Sequence, residues 1–164
     1  MHSSDSTSVA TPAEPPAGTV IQDPLTHHHS FIAARAFETG ACISPFRAAA
    51  QTREANRFTV QVGPGQHIVL EPGYLQYINH SCDPNAFFNT TTGELVALRT
   101  IREGDEITFF YPSTEWDMSE PFACRCGSAN CLQQISGASA LPRNLLQQYR
   151  LSDHIRQLLA LPVL

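Results

Sequence analysis

The sequence contains no lysine, so all ten of its basic residues are arginines. Charged residues of either sign make up only 15% of the 164 residues, and the formal net charge is -5. A protein that binds nucleic acid regardless of sequence needs a broad basic surface. The composition therefore disfavours this class, and we expect no direct binding of nucleic acid.

Long apolar runs are also missing. No stretch approaches the roughly 20 apolar residues that cross a bilayer, and the N-terminus lacks the basic and apolar regions of a secretory signal. We expect a protein that is not secreted, does not bind membranes, and is located in the cytoplasm or the nucleus. Disulfides are rare in such compartments, so clustered cysteines there more often bind a metal or do chemistry.

Turn-forming residues are plentiful, because the chain has 12 prolines and nine glycines. They favour short elements over a helical bundle, and runs of alternating apolar residues predict a mostly β core. We expect residues 1–19, rich in Ser, Thr, Ala and Pro, to form a disordered tail. Pro142 as a first-turn residue and Ser152 as a cap predict two C-terminal helices that cover a sheet edge. The expected strand pairs are 31–37 with 41–46, 57–62 with 66–71, and 86–89 with 94–100, with a further strand at 105–110 and a helical turn at 72–78.

Three cysteines, Cys124, Cys126 and Cys131, lie within eight residues around a glycine. Thiolates at this spacing can hold one tetrahedral zinc ion at metal–sulfur distances of about 2.3 Å. The fourth ligand has to come from elsewhere, and the candidates are Cys42, Cys82 and a histidine. Cys82 lies in a polar loop, which suits a ligand better than the apolar strand pattern around Cys42.

Two further clusters are candidates for chemistry. The polar loop 79–85 reads Asn-His-Ser-Cys-Asp-Pro-Asn, although such a loop can also simply cap its own backbone. Alternation along strand 105–110 places Ile107, Phe109 and Tyr111 on one face. Tyr111 is then either a hydroxyl at the end of an apolar slot or a core tyrosine with a satisfied hydroxyl.

Together, the three clusters resemble the SET domain of protein-lysine methyltransferases with its post-SET cysteine motif. Residues 79–85 match the Asn-His-Ser-Cys-x-Pro-Asn signature, 106–111 resemble Glu-Leu-x-Phe-Asp-Tyr, and 124–131 have the post-SET spacing. The resemblance covers residues 30–132. It implies a fold of several small sheets with a knot-like crossing, divided into a SET domain (20–118), a post-SET zinc segment (119–136) and a C-terminal helical extension (137–164).

The resemblance also implies S-adenosylmethionine as cofactor and methyl transfer to a lysine amine in a protein or peptide. It makes Tyr111 the catalytic residue beside the transferring methyl. Phe109 falls at the family's Phe/Tyr switch position, which implies more than one methyl addition. Trp116 and Phe122 either wall the channel, pack on the adenine or only fill space. The implied cofactor contacts are Ser30, Phe31, Ile32, Asn79, His80, Tyr111 and Phe122, and the implied channel residues are Tyr77, Phe109 and Trp116.

One structural zinc ion is implied as well. In the family, the cysteine that ends the Asn-His-Ser-Cys motif is the fourth ligand. The implied ligands are therefore Cys82, Cys124, Cys126 and Cys131, and Cys42 is a bystander. The ion would tie the post-SET segment to the core loop.

The sequence departs from the family at three places. Residues 28–33 contain no glycine where the family has Gly-x-Gly, so His28 and Ser30 are expected to crowd the cofactor. Phe110 replaces an acidic residue, and residues 76–77 lack the usual basic one. A second interpretation is a SET-like scaffold that acts as a binding protein or as a biosynthetic-pathway enzyme on a small molecule such as an amine.

Overall fold

The computed structural model describes residues 15–160. Residues 1–14, which hold most of the expected tail, lie outside the described residues. No helix within residues 15–160 is long and apolar enough to cross a membrane.

The strands are β1 (Gly18–Gln22), β2 (His29–Ala33), β3 (Cys42–Pro45), β4 (Arg47–Thr52), β5 (Thr59–Gly63), β6 (Gln66–Glu71), β7 (Asn79–His80), β8 (Ala86–Asn89), β9 (Glu94–Ala97), β10 (Thr108–Phe109), β11 (Phe122–Ala123) and β12 (Gln134–Ile135). The helices are α1 (Arg143–Leu146) and α2 (Asp153–Leu158), and 3-10 turns lie at Gly73–Tyr77, Tyr111–Ser113 and Ala138–Ala140.

The largest sheet has five strands in the order β3-β9-β8-β10-β7. β8 and β9 form the antiparallel hairpin that the sequence predicts. β10, in contrast, runs parallel to both β7 and β8. In this register Thr108 lies opposite Asn79, and Phe109 lies opposite His80. The two motif segments, distant in sequence, are therefore adjacent, and Tyr111 follows directly after the pairing.

The other sheets are β4-β6-β5, β1-β2 and β11-β12. The pairing of β5 with β6 confirms the second expected hairpin. The hairpin expected between residues 31–37 and 41–46 is wrong, because β2 pairs with β1 and β3 pairs with β9. Between β2 and β3, Phe37 forms a bridge with Ile101 instead. This long-range contact directs the two strands into different sheets, and a local turn signal does not reveal it.

Two residues that were expected to belong to the tail, Ala17 and Gly18, are part of the fold. Ala17 is buried and Gly18 opens β1. A Cβ atom at Gly18 would lie 2.4 Å from the carbonyl oxygen of Ile32 and 2.8 Å from the Phe31 ring. The small residues that suggested a disordered segment are in fact required where β1 passes closely over β2.

The main core lies between the sheets and is built on aromatic contacts. Phe31, Phe88 and Ile107 are fully buried in it. The Phe88 ring makes edge contacts with Phe46 and Phe109, at centroid distances of 5.3 and 4.7 Å. Pairs of this kind add about 0.5–1.5 kcal/mol beyond the area they bury.

A second apolar cluster attaches the C-terminal helices, as the sequence predicts. Its centre is Phe110, whose ring stacks on Tyr149 at 3.7 Å with an interplanar angle of 5°. Leu146 and Ile155, on the two helices, are fully buried beside it. Ser152 occupies the N-cap position of α2, but its hydroxyl donates to the carbonyl of Ser113 rather than capping the helix.

Candidate functional site

A cleft of about 680 Å³ opens beside the end of β10. We call it the main cleft. Its walls come from the turn between β1 and β2, the loop before β5, the 3-10 turn before β7, and the chain after Tyr111. The lining residues lie at 26–29, 55–59, 76–77, 79, 111, 115 and 118–122.

Asn79 joins the first motif segment to the wall of the main cleft. Its side-chain amide donates to the carbonyl of His29 at 2.7 Å and to the carboxylate of Glu106 at 2.8 Å. The same nitrogen lies 3.4 Å from the hydroxyl of Ser30. These contacts hold the start of β2 against β7, so the backbone at the cleft has a fixed position.

Tyr111 presents its ring to the cleft and donates its hydroxyl proton to the carbonyl of Ile78 at 3.0 Å. Burial, followed by the negative charges of Glu115 and Glu106, raises the pKa of Tyr111 well above its usual value. The hydroxyl therefore stays protonated at neutral pH. It can offer an oxygen dipole to a developing positive charge, but it is not a base.

His80 contacts the backbone of Tyr111 rather than the main cleft. Its Nδ1 accepts the Tyr111 N–H at 3.1 Å, and its Nε2 lies 3.3 Å from the Cys82 sulfur. Burial lowers the pKa of His80 to about 4. The neutral ring with Nδ1 as acceptor carries its proton on Nε2, which points at Cys82.

Four cysteines converge behind this histidine. The sulfurs of Cys82, Cys124, Cys126 and Cys131 all lie within 4.8 Å of one another. Cys82 and Cys124 are 3.9 Å apart, close to the ~3.8 Å between ligands of a tetrahedral zinc with 2.3 Å bonds. Burial raises the pKa of the Cys124 thiol to about 11. Thiols packed in this way repel one another as thiolates without a cation, so the donor set fits a zinc ion.

The fifth cysteine, which was not expected to be a zinc ligand, lies outside this cluster. Cys42 is exposed on β3, outside the group of four. The histidine run His27–His29 lies on the wall of the main cleft, and within the described residues only the four cysteines form a metal-sized group. The histidines therefore belong to the cleft wall, where the family has glycines.

The expected crowding at the missing glycines does not close the cleft. His28 is exposed, and the ring of His29 turns onto Tyr77 at a centroid distance of 4.7 Å. Ser30 is half-buried against Asn79. His28 lines the cleft, Ser30 does not, and an opening of about 680 Å³ is present beside them.

The structure brings together some of the predicted site residues and separates others. Tyr77, Asn79, Tyr111 and Phe122 all line the main cleft. Phe31 stacks on Tyr74 in the core, so β2 offers the cleft its backbone rather than this ring. The predicted residues outside the cleft lining are Ser30, Phe31, Ile32, His80, Phe109 and Trp116.

Two expected channel residues pack against apolar neighbours. Phe109 is buried with its ring 4.6 Å from that of Tyr111. Trp116 packs against the second apolar cluster, and its backbone N–H donates to the side chain of Gln61. For Trp116 the structure therefore favours the packing alternative. Trp116 is absent from the cleft lining, although its neighbour Glu115 and residues 118–122 belong to it.

Glu115 and Arg57 also line the main cleft, and sequence reasoning missed both. Glu115 is the fourth residue after Tyr111, on the turn that leaves the motif strand. The offset of four residues was the one available sequence signal for Glu115. Residues one helical turn apart lie on the same side of the chain, here the side of Tyr111. Nothing in the local sequence marks Arg57.

Comparison with known proteins decides the family. The SET domain model matches residues 16–112, more than half of the chain. The chain belongs to the SET-domain family. The mostly β fold expected for this family is confirmed by the arrangement of sheets described above.

Other members are similar to this SET domain to different extents. Methyltransferase flvH of Aspergillus flavus is 40% identical over 151 residues, spanning 91% of this chain and 84% of that protein. Histone-lysine N-methyltransferase mes-4 of Caenorhabditis elegans is 41% identical over 79 residues, spanning 38% of this chain and 8% of that protein. The crystal structure of KRYPTONITE in complex with mCHH DNA, H3(1-15) peptide and SAH has a TM-score of 0.52 at 20% identity, covering 70% of this chain and 28% of that one. The relatives named here are methyltransferases, while the structural likeness shows the fold.

Proposed function

We propose that this protein transfers a methyl group from S-adenosylmethionine to an amine. The observation that carries the proposal is the parallel pairing of β7 with β10, which brings Asn79 and Tyr111 to one cleft. The SET-domain relatives support it, since those compared are methyltransferases. The KRYPTONITE structure is a complex with SAH, the product form of this cofactor.

The residues that would hold the cofactor lie on the wall of the main cleft around Asn79. Asn79 and the fixed backbone at His29 and Ser30 supply polar contacts, and Phe122 supplies a ring. When bound, S-adenosylmethionine supplies an electrophilic methyl group on a positively charged sulfur. The cysteine cluster would hold zinc and thereby keep the Phe122 segment in place.

Tyr111 has the role that its environment permits. Its hydroxyl stays protonated and is fixed on the Ile78 carbonyl. Its oxygen dipole stabilises positive charge as it passes from sulfur to nitrogen. The main contribution of the site is to hold the amine and the methyl in line. The acceptor has to be neutral to attack, although a free lysine amine has a pKa of about 10.4.

The acceptor is either a lysine side chain of a protein or a small-molecule amine. Histone-lysine methyltransferases among the relatives support the first. A small-molecule amine is favoured by methyltransferase flvH, which matches this chain over most of its length. The name of flvH mentions no protein substrate. In either case the chain cannot methylate a lysine of its own, because it has none.

Calorimetric titration with S-adenosylmethionine tests the proposal directly. We expect saturable heat and a rise in melting temperature, and their absence at millimolar cofactor would contradict methyl transfer. Tyr111→Phe should keep the binding heat while transfer of labelled methyl to amines collapses. Assays with a lysine-containing peptide mixture and with n-pentylamine then distinguish the two acceptor classes.

A further inference from the structure

Glu115 is a buried carboxylate that the proposed mechanism has not used. It is only 8% exposed, yet it lines the main cleft. One oxygen, Oε1, accepts the backbone N–H of Gln61 at 2.8 Å and the hydroxyl of Thr114 at 3.1 Å. The other oxygen, Oε2, lies 3.9 Å from the Nδ1 of His67. Among the described residues no side chain or backbone N–H donates to Oε2, and it keeps some accessible surface, since the fully buried atoms without a partner are those of His67, Ser113 and His154.

The charged groups around Glu115 do not neutralise it. Burial lowers the pKa of His67 and also that of His154, which lies beyond it, so both rings are neutral at pH 7. Arg57, on the opposite wall, places its guanidinium over the Phe58 ring at 4.9 Å. Tyr111 is protonated, and Glu106 is occupied with Asn79. A largely buried carboxylate with no positive charge beside it is costly, and an ammonium group of the substrate would relieve that cost.

We propose that the Oε2 atom of Glu115 receives the proton of the substrate ammonium in the main cleft. This inference rests on the proposed methyl transfer and names the group that prepares the acceptor for it. The N–H bond of the ammonium breaks with its electron pair left on nitrogen, and the proton forms an O–H bond at Oε2. The nitrogen pair then bonds the methyl carbon, and the carbon–sulfur pair stays on sulfur. The proton on Oε2 leaves to solvent when the product departs.

The environment of Glu115 suits a proton acceptor. Burial raises the pKa of its carboxyl to about 7 against the opposing hydrogen bonds from Gln61 and Thr114. Acid–base groups work best when their pKa lies near the working pH. Burial in the cleft also lowers the pKa of an amine that enters it. The pKa values of the proton donor and the proton acceptor therefore become more similar. Oε2 also lies 3.9 Å from the His67 Nδ1, which has no hydrogen-bond partner among the described residues.

The test compares Glu115→Gln with the wild type and with Glu103→Gln, which removes an exposed carboxylate from a turn outside the cleft lining. A glutamine at 115 keeps an oxygen for the Gln61 and Thr114 donors, so the fold and cofactor binding by calorimetry should be unchanged. Methyl transfer to n-pentylamine and to a lysine-containing peptide mixture is measured from pH 6 to 10. The two acceptors distinguish a small amine from a protein side chain.

We expect Glu115→Gln to lower kcat/KM roughly 100-fold at pH 7. The loss should shrink to a few-fold at pH 10, where neutral amine is abundant in solution. Glu103→Gln should stay within about twofold of the wild type throughout. A loss that is the same at every pH, or no loss, overturns the role of Glu115 alone. Failure of the wild type to methylate either acceptor overturns the proposed function, and this role with it.

Discussion

The imidazole of His80 joins the backbone of Tyr111 to the sulfur of Cys82. Nδ1 accepts the Tyr111 N–H at 3.1 Å, and Nε2 lies 3.3 Å from Sγ. A single ring therefore connects the candidate catalytic residue with a candidate zinc ligand. We therefore expect that displacement of Cys82 shifts the ring and, with it, the backbone of Tyr111.

Metal content provides the first prediction. Purified protein should contain one zinc per chain by elemental analysis, because four thiols converge to zinc-binding distances. Cys82→Ser should lower the zinc occupancy clearly. Cys42→Ser is the matched control, since Cys42 lies outside the cluster and should leave the occupancy unchanged. Equal occupancy in both variants would disprove the ligand assignment.

Chelation should affect the enzyme beyond the loss of zinc. The contact of His80 with both Cys82 and Tyr111 predicts that metal removal lowers methyl transfer together with the melting temperature. The rate and the melting temperature are measured before and after chelation and after zinc is restored. Full activity in metal-free protein would show that the cysteine cluster and the cleft are independent.

We expect the number of methyl groups transferred to depend on the residue beside Tyr111. Phe109 is buried with its ring centroid 4.6 Å from that of Tyr111, so a hydroxyl added to it would take up space and place a hydrogen-bonding group beside the Tyr111 ring. We expect the wild type to give products with more than one methyl and Phe109→Tyr to stop mostly at one. Mass spectrometry of the product decides this, and an unchanged methyl distribution would contradict it.

Stability should depend on pH through Glu115. Its folded pKa of about 7 lies above its usual value near 4.5, so the folded state binds the proton more tightly. Stability from this group is complete below pH 4.5 and falls as the pH rises to 7, by about 3 kcal/mol in total. The difference between the unfolding free energies of Glu115→Gln and wild type should therefore grow in the variant's favour across this window. Denaturant unfolding at several pH values checks it, and a constant difference would argue against it.

The second apolar cluster depends on Phe110, which is 2% exposed and stacks on Tyr149. Phe110→Ala should destabilise the protein by about 3 kcal/mol or more through the cavity it leaves. Leu25→Ala is the control, because Leu25 is 89% exposed and should change stability by no more than about 0.5 kcal/mol. Similar melting temperatures for the two variants would mean that the C-terminal helices are not held in this way.

The sequence predicted what local patterns can encode. The hairpins of β5 with β6 and of β8 with β9 follow from alternation and turn residues, and both are confirmed. The grouping of Cys124, Cys126 and Cys131 followed from their spacing, whereas Cys82 followed from the resemblance to the SET family. Each hairpin and each motif is specified within a short stretch of the chain.

Long-range pairing was not predictable in the same way. β4, with the sequence Arg-Ala-Ala-Ala-Gln-Thr, is an almost fully exposed edge strand with no alternation to reveal it. The partners of β2 and β3 are fixed by contacts between distant residues. The cleft role of Glu115 depends likewise on Gln61, 54 residues away, which fixes one carboxylate oxygen.

Trp116 gives the protein an optical property of its own. It is the only tryptophan of the chain, and it lies where the chain leaving the Tyr111 turn meets the C-terminal helices. Its backbone binds Gln61 on one side and Ser139 on the other. The emission spectrum of this indole should therefore shift when the C-terminal helices detach from the part of the chain that contains Tyr111. The shift would provide a label-free fluorescence measurement of this contact.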